Sequence, residues 1–347
     1  MGDRGAVTGQ DGGAAAGHVV IGVLTWNGYE LARACIASLS RLRQWPVPVV
    51  VVDNGSREPE GRRLADEFGP PVEAVTLPQN QLVAGGYNAL IRWAAERGAS
   101  HVLLLNNDTI VTDPAMLDRL IEAAVRTVAA AGPLVLNEDG SHFSGGGTLG
   151  RWTGRSGHLR RHEVPVNDRP FEVPWIDGPC MLVNVEVACR IGGLDPVFVS
   201  TWEELDWCVR ARRIGYRCLV EPRTTIRHLR GRTIPSDQSR KYLFRNSILF
   251  ARRHGSWPQS ATAVLAFMFW TVPEHVIFTR PRIAVLRAAW AAVRWNFRDA
   301  FRRRAWRREA SGPDVCGPAG PGTRVTDQEA TTSRSSDSSR PAIADQS

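Results

Sequence analysis

Short runs of apolar residues alternate with helical patterns along the first third of the chain. The apolar runs are continuous, and continuous runs of about four to eight residues are typical of strands buried on both faces of a sheet. A helical pattern extends from Tyr29 to about Arg43, and another ends near Arg97. Strand, helix and strand in succession predict βαβ units with right-handed crossovers, and therefore an α/β fold around a mostly parallel sheet. The apolar runs are 19–25, 47–52, 72–77 and 101–105.

Polar residues follow these apolar runs where they end. Asn27 comes after the first run, Asp53 after the second, and Asn106-Asn107-Asp108 after the fourth. Because ligands of open α/β sheets bind beyond the carboxyl ends of the strands, these side chains are candidates for a binding crevice. Asp108 and its neighbouring amides offer the hard oxygen ligands that suit Mg²⁺ or Mn²⁺ bridged to a diphosphate. The alternative is a turn in which Asp108 caps the next helix.

A glycine pair marks the predicted start of the helix that ends near Arg97. No G-x-G-x-x-G fingerprint follows the first strand, which argues against a dinucleotide-binding protein. Gly85 and Gly86 instead allow close approach of the backbone to a ligand, and a helix amino terminus favours an anion such as a diphosphate. A plain junction between loop and helix is the alternative.

The pattern is less regular in the middle of the chain. A helix is predicted to begin near Pro114, while residues 132–174 contain several Arg, His and Gly but few periodic apolar residues. Long irregular insertions inside compact domains are usually functional or mobile, so we expect residues 132–174 to be a flexible loop over the site. The run 175–183 then predicts another buried strand.

Three acids crowd the start of the next predicted helix. Glu203, Glu204 and Asp206 lie beside an apolar stripe that includes Leu205 and Val209. The helix dipole stabilises negative charge in the first turn. The acids therefore indicate either a general base beside the crevice or a simple preference for acids at helix starts.

Two short strands are predicted beyond this helix, at 216–220 and 224–228. His228 ends the second of them. An imidazole at a strand end is either a metal ligand or a structural residue. A helix is then predicted over 240–253.

The C-terminal region combines apolar and basic residues. Residues 261–270 are strongly apolar, but about ten residues are too few to cross a bilayer, which needs roughly 20. Beyond Pro281, apolar residues such as Leu286 and Trp290 recur at helical spacing with Arg between them. A basic amphipathic helix of this kind suits the surface of an anionic membrane. The alternatives are packing on the main domain and nucleic-acid binding, although no nucleic-acid module accompanies it.

Composition adds limited information. The chain has 347 residues, 43% of them hydrophobic, and a net charge of +8 that comes almost entirely from Arg and selects no partner by itself. The six Cys form no C-x-x-C pair, which argues against a zinc site and a disulfide scaffold and suits a reducing cytoplasm. The first residues lack the apolar core of a signal peptide. We expect four segments: a disordered 1–17, a main domain over 18–255, a helical region over 256–309 and a disordered tail over 310–347.

The polar motifs occur in a recognisable order. They are Thr25-Trp26-Asn27, Val51-Val52-Asp53-Asn54-Gly55-Ser56, Asn80 with Ala84-Gly85-Gly86 and Asn88, Leu105-Asn106-Asn107-Asp108, Trp202-Glu203-Glu204-Leu205-Asp206, and His228. This ordered set resembles the inverting glycosyltransferases of family 2, which have the GT-A fold. The resemblance covers roughly residues 18–255 and is closest to bacterial rhamnosyltransferase and galactofuranosyltransferase members, in which the metal motif often begins with Asn, as here.

The resemblance implies a role for each motif. Asp53 would bind the pyrimidine base of the donor, Asp108 and His228 would bind Mg²⁺ or Mn²⁺, and Glu204 would be the general base. Glu203 and Asp206 would orient neighbouring groups or the acceptor. Since the usual Asp is replaced by the longer Glu204, the choice of base among these three acids stays open. The remaining residues expected to bind the donor are Thr25, Asn27, Asn80, Gly85, Gly86, Asn88 and Asn107.

These features predict a metal-dependent inverting glycosyltransferase. The expected donor is dTDP-rhamnose or a related dTDP- or UDP-sugar, and the expected acceptor is a polyprenyl diphosphate-linked saccharide in cell-envelope polysaccharide synthesis. In this hypothesis the enzyme is cytoplasmic and is held on the inner face of the cytoplasmic membrane by residues 256–309, with no nucleic-acid partner. Two alternatives are the same chemistry on a soluble acceptor and a non-catalytic binding or scaffold protein of the same fold.

Overall fold

The computed structural model of the chain describes residues 18–229, 236–279, 281–302 and 312–317. Within these residues the strands form one ten-stranded sheet and a separate two-stranded sheet. The strands are β1 (Val19–Thr25), β2 (Val49–Asp53), β3 (Val72–Thr76), β4 (His101–Asn106), β5 (Thr109–Val111), β6 (Val128–Leu136), β7 (His142–Ser144), β8 (Gly147–Leu149), β9 (Ser156–His158), β10 (Phe171–Glu172), β11 (Cys180–Asn184) and β12 (Arg217–His228).

Helices cover both faces of the large sheet and extend beyond it at the C-terminal side. The helices are α1 (Tyr29–Leu39), α2 (Glu60–Phe68), α3 (Leu82–Glu96), α4 (Met116–Ala123), α5 (Val185–Ile191), α6 (Glu203–Arg213), α7 (Ser236–His254), α8 (Trp257–Ala266), α9 (Val272–Phe278) and α10 (Arg282–Arg302), with a π turn at Phe267–Thr271 between α8 and α9.

The large sheet has the strand order β10-β12-β6-β11-β4-β1-β2-β3. Strands β3, β2, β1 and β4 are mutually parallel, as are β6 and β12, whereas β11 runs antiparallel between β4 and β6. The prediction of an α/β fold with a mostly parallel, Rossmann-like sheet is therefore confirmed.

Both faces of the parallel strands are buried, which explains why their sequences are continuous apolar runs. Along β2, Val50 and Val52 point into the core layer shared with α3, while Val49 and Val51 point into the layer shared with α1. Complete burial of a valine stabilises the fold by roughly 1.5–3 kcal/mol. A shift by one residue would exchange the two faces, so this alternation fixes the register of the strands.

Small residues let α3 approach β1 closely. A methyl group at Gly86 would lie 2.3 Å from Cδ1 of Leu24, and one at Gly22 would lie 2.7 Å from Cδ2 of Leu90. Both distances are far below van der Waals contact, so neither glycine tolerates a side chain without movement of its neighbour. The helix begins at Leu82, several residues earlier than the glycine pair suggested.

Residues 132–174 are more ordered than the sequence pattern predicted. They contain the end of β6 and all of β7, β8, β9 and β10, and β6 lies inside the central sheet between β11 and β12. The expectation of a flexible loop was wrong for this part of the chain. The core of β6 is Ala-Ala-Ala-Gly-Pro, and residues with low strand propensity conceal a strand that burial and pairing stabilise.

The C-terminal helices form a layer of their own against α7. Phe244 of α7, Phe267 of the π turn and Val285 and Ala288 of α10 form a separate apolar cluster. The opposite face of α10 leaves Trp290 69% exposed. Packing on a neighbouring helix and an open apolar face therefore coexist in this region.

The apolar segment before α10 is longer than predicted. Trp257–Phe278 is a continuous helical segment of 22 residues with a mean hydropathy of 1.4, of which 17% is buried. It begins at a capping box made by Ser256 and Gln259, and Pro273 lies directly after the π turn. By length and composition this helix could cross a membrane, so the expectation of a segment too short to do so was wrong.

A short segment after the C-terminal helices packs back on the main domain. Within residues 312–317, Val315 is fully buried, and Cys316 forms a disulfide with Cys189 of α5. The cysteine spacing argued against a disulfide scaffold and did not reveal this single disulfide, because 127 residues separate its members. The expected disordered tail therefore does not include residues 312–317. The segments 1–17 and 318–347 lie outside the described residues.

Candidate active site

A crevice lies at the carboxyl ends of β1, β2 and β4. Thr25, the last residue of β1, is paired with Asp53, the last residue of β2, and β4 ends beside them. Asn107 and Asp108 follow β4 directly and are almost completely buried. The parallel strands therefore collect their terminal polar side chains at one edge of the sheet, where α/β folds bind ligands.

Asp108 and His228 meet at this edge. β12 returns as an antiparallel neighbour of β5, which places His228 opposite Thr109. The Nε2 atom of His228 lies 3.2 Å from Oδ1 of Asp108. Oδ1 of Asp108 and Nδ1 of His228 are buried without a hydrogen-bond partner. Buried polar atoms normally have partners, so the free Oδ1 atom of Asp108, with Nε2 of His228 beside it, indicates a place for a ligand.

The pair fits a divalent cation. Carboxylate oxygen and imidazole nitrogen are both ligands of Mn²⁺ and, with more oxygen, of Mg²⁺. Adjacent ligands about 2.1 Å from an octahedral ion lie about 3.0 Å apart. Nε2 of His228 and Oδ1 of Asp108 lie 3.2 Å apart, which is close to that spacing. Among the residues that the structure describes, no group of three or more His, Cys, Asp or Glu could hold a metal. A cation here would therefore take its other ligands from a diphosphate and water.

The acids of α6 differ in their surroundings. Glu203 is buried, whereas Glu204 is partly exposed to the crevice. Burial raises the pKa of both carboxyl groups above the ordinary range. For Glu204, the charges of Glu203 and Asp177 raise the pKa further, while His158 lowers it. A carboxyl group whose pKa is moved toward neutrality is well suited to accept a proton from a hydroxyl group.

Asp206, the third acid of α6, belongs to a buried ion-pair network. Its carboxylate accepts hydrogen bonds from Nε of Arg210 at 2.8 Å and from Nε2 of His254 at 2.7 Å, and Arg253 lies 3.3 Å away. Burial alone would raise its pKa, but the hydrogen bond from His254 and the charges of Arg210 and Arg253 lower it to about 2. Asp206 is fully buried in this ion-pair network and fixes α6 to α7. It is therefore not positioned as a general base.

Tyr87 connects the two halves of the site. Its hydroxyl lies 2.5 Å from Oδ1 of Asn106 and 3.1 Å from the carbonyl oxygen of Gly178. Burial raises the pKa of Tyr87, and the charges of Asp108 and then Glu204 raise it further. This hydroxyl group therefore links Asn106, two residues before Asp108, with Gly178, where a methyl group would lie 3.5 Å from Oε1 of Glu204. The structure brings the two predicted acidic motifs together in one crevice.

The residues expected to bind the nucleotide form a hydrogen-bonded wall. The two carboxylate oxygens of Asp53 accept N–H bonds from Ser56 at 2.9 Å and Gly61 at 3.1 Å. Oδ1 of Asn27 accepts a bond from the backbone of Arg57 at 3.0 Å. These contacts shape the loop after β2, so Asp53 and Asn27 hold that loop beside the ends of β1 and β2.

The same wall continues through Asn107 and Asn80. Asn107 donates to Oγ1 of Thr25 at 3.2 Å, and Asn80 accepts from the backbone of Leu82 at 2.7 Å. Asn80 also accepts from the amide of Asn54 at 3.2 Å. The predicted donor-binding residues near β1 and β2 are thus neighbours in space.

Sequence reasoning missed one residue that organises this wall. Glu60 is buried, and its Oε2 accepts bonds from the backbone of Gly28 at 2.9 Å, from Ser56 at 3.2 Å and from Thr25 at 3.3 Å. Glu60 lies in the polar stretch Glu-Gly-Arg-Arg, where an acid at a helix start is unremarkable. Only the fold reveals that it bridges β1 and the loop after β2.

Gly86 and Asn88 make packing contacts within the fold. The missing side chain of Gly86 makes room for Leu24, and Asn88 bonds both backbone groups of Leu194, to O at 2.9 Å and from N at 2.8 Å. A methyl group at Gly85 would lie 2.4 Å from Cβ of Gln81 in the first turn of α3. These contacts explain why the three positions hold small or polar residues. Contact of Gly85, Gly86 and Asn88 with the donor stays a prediction.

Comparison with known proteins identifies the domain. Residues 20–188 match the model of the family described as Glycosyl transferase family 2. O-antigen biosynthesis protein RfbC of Myxococcus xanthus is 29% identical over 210 residues, which are 57% of this chain and 16% of that protein. N-acetylglucosaminyl-diphospho-decaprenol L-rhamnosyltransferase of Mycobacterium tuberculosis is 25% identical over 249 residues, 64% of this chain and 80% of that enzyme. dTDP-rhamnosyl transferase RfbF of Shigella flexneri is 23% identical over 228 residues, 63% of this chain and 75% of that enzyme.

Solved structures agree on the architecture. Mannosyltransferase PcManGT from Pyrobaculum calidifontis, in complex with GDP-Man and Mn²⁺, has a TM-score of 0.52 and 14% identity, and the match covers 86% of this chain and 85% of that one. GalNAc-T7 with UDP, GalNAc and Mn²⁺ has a TM-score of 0.56 and 13% identity, covering 82% of this chain and 57% of that one. At this identity the likeness concerns the fold alone. From the matched domain, the relatives and the fold together, residues 20–188 carry a glycosyltransferase family 2 domain, and the protein is a glycosyltransferase with the GT-A fold.

Proposed function

We propose that this enzyme transfers L-rhamnose from dTDP-rhamnose, with inversion, to a hydroxyl group of a lipid-linked saccharide in cell-envelope polysaccharide synthesis. Two relatives are named as rhamnosyl transferases, one of them acting on a diphospho-decaprenol acceptor. The observation that carries the chemistry is that the Tyr87 hydroxyl joins Asn106, two residues before Asp108, to Gly178, which borders Glu204. A base on one side of the crevice and a diphosphate-binding pair on the other are what an inverting displacement requires.

Glu204 acts as the general base in this proposal. It is the partly exposed acid of α6, and it borders the backbone of Gly178 at the crevice. It accepts the proton of the acceptor hydroxyl while the oxygen attacks the anomeric carbon from the face opposite the diphosphate. Burial raises the pKa of Glu204, and the neighbouring carboxyl group of the buried Glu203 raises it further.

Asp108 and His228 are the residues that would hold Mg²⁺ or Mn²⁺ at the diphosphate end of the donor. When bound, the cation supplies neutralisation of the negative charge that develops on the departing nucleoside diphosphate. The backbone of Asp108 is kept at the strand end by a hydrogen bond from the backbone N–H of Leu229 to its carbonyl oxygen, at 2.8 Å. Loss of either side chain therefore weakens donor binding.

The nucleotide lies against the wall formed by β1, β2 and the start of α3. In this proposal Asp53 binds the pyrimidine base, and Thr25, Asn27, Asn80 and Asn107 line the same pocket. The support is their hydrogen-bonded continuity, from the loop after β2 across to the end of β4. Asn107 also lies between this wall and Asp108, so base and diphosphate sites adjoin.

Membrane association belongs to the same proposal. The C-terminal helices carry large exposed apolar side chains, and Arg residues flank them on α10. Aromatic and aliphatic side chains beside Arg suit the interface of an anionic bilayer. We infer that these helices hold the enzyme at the inner face of the cytoplasmic membrane, where a lipid-linked acceptor is available. The most exposed of these side chains are Trp257, Phe269, Trp270, Ile277, Phe278, Trp290 and Phe297.

Transfer assays test the function directly. The full-length enzyme is incubated with dTDP-rhamnose, a polyprenyl diphosphate-linked N-acetylglucosamine and Mg²⁺ or Mn²⁺, and the lipid product is analysed by mass spectrometry. The proposal expects a mass increase of one deoxyhexose that requires the cation. UDP-glucose and GDP-mannose serve as donor controls. Equal transfer from all donors, or transfer that persists in a chelator, would contradict the proposed donor or the proposed cation.

A further inference from the structure

A cavity lies between the C-terminal helices and the main domain. Its volume is about 110 Å³, enough for several water molecules at roughly 10–15 Å³ each, or for one phosphate-sized group. One wall is the turn between β8 and β9, and the other walls are formed by α7, α8, the π turn and α9. None of the residues expected to bind the donor lines this cavity. It is therefore a site distinct from the donor wall.

The turn between β8 and β9 is held against α8 at two points. The carbonyl oxygen of Trp152 accepts a hydrogen bond from Oγ1 of Thr262 at 2.7 Å. Gly154 has a φ of +62°, and a methyl group there would lie 3.1 Å from Cβ of Ala263. The turn can therefore approach α8 closely because residue 154 has no side chain, and the wall of the cavity is fixed in place.

Arg155 lines the cavity with part of its guanidinium group unpaired. Nη2 lies 2.8 Å from Oε2 of Glu274 on α9, and Cζ lies 4.6 Å from the centroid of the Trp270 ring. Nη1 is buried, and no atom within the described residues accepts a hydrogen bond from it. A buried N–H group without an acceptor is unfavourable, so Nη1 indicates a place for a group that accepts hydrogen bonds.

The lining of the cavity is amphipathic. Beside the guanidinium group it contains both hydroxyl groups and large apolar side chains. A small anion joined to an apolar chain matches such a lining, because the guanidinium and hydroxyl groups suit phosphate oxygens while the remaining surface suits hydrocarbon. The hydroxyl groups include those of Thr153 and Ser247, and the apolar side chains include those of Leu243, Phe244, Ile248 and Phe267.

The cavity lies between the exposed apolar helices and the helix that carries the proposed base. The π turn borders it through Phe267 and Thr271, and π turns within α-helices occur frequently at functional sites. Trp270 of the same turn is exposed. Another wall contains Trp202, which directly precedes α6 and lies two residues before Glu204. A ligand in the cavity would border both regions.

We propose that this cavity binds the diphosphate of the lipid-linked acceptor, with Nη1 of Arg155 donating a hydrogen bond to a phosphate oxygen and the apolar side chains contacting the first isoprenoid unit. This inference rests on the proposed function, because it locates the acceptor named there. The planar guanidinium group suits phosphate recognition. Trp270 and Phe269, exposed on the π turn, are available to the rest of the lipid chain.

The ion pair between Arg155 and Glu274 could instead serve only to hold the turn against α9. The two roles predict different signs for the two single variants. If the pair is only structural, loss of either partner has the same effect on the cavity. If Arg155 binds a phosphate, loss of Arg155 weakens binding, whereas loss of Glu274 strengthens it, because a carboxylate that competes for the guanidinium group is removed.

Calorimetry with the full-length enzyme and farnesyl diphosphate, in a chelator that keeps the donor site free of cations, tests the inference. We expect the Kd to increase about tenfold in Arg155→Gln, because a charge-assisted hydrogen bond is lost. In Glu274→Gln the Kd should decrease about threefold. Arg151→Gln, at an exposed position in the same turn, is the matched control and should leave the Kd unchanged.

Two further ligands identify what the cavity recognises. Farnesol, which lacks the diphosphate, should bind equally to the native enzyme and to Arg155→Gln. Inorganic diphosphate should bind more weakly than farnesyl diphosphate, because it lacks the apolar chain. Inorganic diphosphate that binds as tightly as farnesyl diphosphate would assign the cavity to a free phosphate compound and would overturn the lipid assignment.

The variants also separate this inference from the proposed function. An unchanged Kd in Arg155→Gln, or equal weakening in Arg155→Gln and Glu274→Gln, would overturn the inference alone. In the transfer assay, Arg155→Gln should raise the KM for the lipid-linked acceptor about tenfold, with kcat and the KM for dTDP-rhamnose unchanged. Because binding is measured without a donor, a native enzyme that binds farnesyl diphosphate as expected but transfers no sugar would contradict the proposed function and not the binding site.

Discussion

At the scale of single residues, the buried and unpartnered oxygen of Asp108 is the most informative feature of the site. An ionised carboxylate without a hydrogen bond is unfavourable in a folded protein, and such atoms are usually kept for a ligand. Nε2 of His228 lies 3.2 Å from this oxygen. Together they explain why a strand that is otherwise apolar ends in a charged group.

Replacing Asp108 with Asn should strongly reduce the reaction rate while the protein remains folded. For Asp108→Asn we expect kcat/KM to fall by about a hundredfold to a thousandfold, because charge stabilisation at the leaving diphosphate is lost. The melting temperature of the free enzyme should stay about equal, since the amide has nearly the same size as the carboxyl group and no hydrogen bond to Oδ1 is lost. Calorimetry with dTDP-rhamnose and Mn²⁺ measures the accompanying loss of donor affinity. Native affinity in this variant would contradict the assignment.

The raised pKa of Glu204 makes a stability prediction with a definite sign. In the folded state this group holds its proton to higher pH than in the unfolded chain, so its contribution to stability decreases as pH rises through the interval between the two pKa values. Glu204→Gln removes that loss. We therefore expect the variant to be inactive, as stable as the native enzyme in acid, and more stable above neutral pH. Thermal unfolding at a series of pH values measures this, and equal curves throughout would show that Glu204 is not perturbed.

Site residues could be predicted from the sequence where a polar side chain follows the end of a buried strand. Asp53, Asn107 and Asp108 were identifiable because a polar residue interrupts a buried apolar run. Glu60 was not, because it lies in a polar stretch where an acid is ordinary. Its role depends on contacts with Thr25, Gly28 and Ser56, which local patterns do not encode.

At the scale of elements, α6 is attached through an ion-pair network rather than through apolar contacts alone. Asp206 and Arg210 have side chains that are 0% and 2% exposed, and His254 links them to α7. Arg210 further donates to the carbonyl oxygens of Ile191 and Gly193. This network holds the helix that begins with Glu203 and Glu204.

Breaking this network should cost stability more than chemistry. For Asp206→Asn we expect a loss of about 3–5 kcal/mol in the free energy of unfolding, because Arg210 is left buried without its counter-ion. The stabilising charge is present above the ordinary pKa of Asp and is lost as pH falls toward about 2. Urea unfolding at neutral pH measures the loss, with Asp66→Asn on the exposed face of α2 as a matched control. A change below about 1 kcal/mol would contradict the structural role.

The contact between α3 and β1 gives a second prediction at this scale. Gly86→Ala should destabilise the fold by about 1–3 kcal/mol, because the new methyl group meets Leu24 in a packed core. Leu24→Ala should itself be destabilising, but the double variant should lose less than the sum of the two single variants. Additive losses would show that the two side chains do not compete for the same space.

Elements were predictable where periodicity and burial agree. The four parallel strands, α1 and α6 follow from their apolar patterns. β6 was not predicted because Ala, Gly and Pro are poor strand formers. Its burial between β11 and β12 outweighs their low strand propensity. The Trp257 helix was underestimated because Pro273 and polar residues interrupt its apolar run, although the helix continues through them.

At the scale of the whole molecule, the C-terminal helices are joined to the catalytic domain close to the acidic helix. α7 links to α6 through His254, and Phe250 of α7 packs on Trp202 at 5.2 Å between ring centroids. The helices α8 to α10, which carry the exposed apolar side chains, are therefore linked through α7 to the helix that begins with Glu203 and Glu204. This arrangement suits an enzyme whose acceptor is anchored in a lipid layer.

Membrane binding should depend on the exposed side chains of these helices. Phe269 and Phe278 are 79% and 81% exposed, so replacing both with Ser leaves the core intact. We expect their replacement to reduce binding to vesicles that contain anionic lipid about tenfold or more. Trp152→Ser and Val166→Ser, at exposed positions outside the helices, are the matched controls. Vesicle flotation measures the effect, and unchanged flotation of the double variant would exclude this surface.

The central claim is that one crevice holds the donor between Asp108 and Glu204. Crystals of the inactive Glu204→Gln enzyme, grown with dTDP-rhamnose and Mn²⁺, test it by anomalous diffraction from the metal. The account predicts a manganese peak bound by Asp108 and His228, with the anomeric carbon of the sugar between the diphosphate and residue 204. A manganese peak elsewhere, or a sugar that faces away from residue 204, would contradict it.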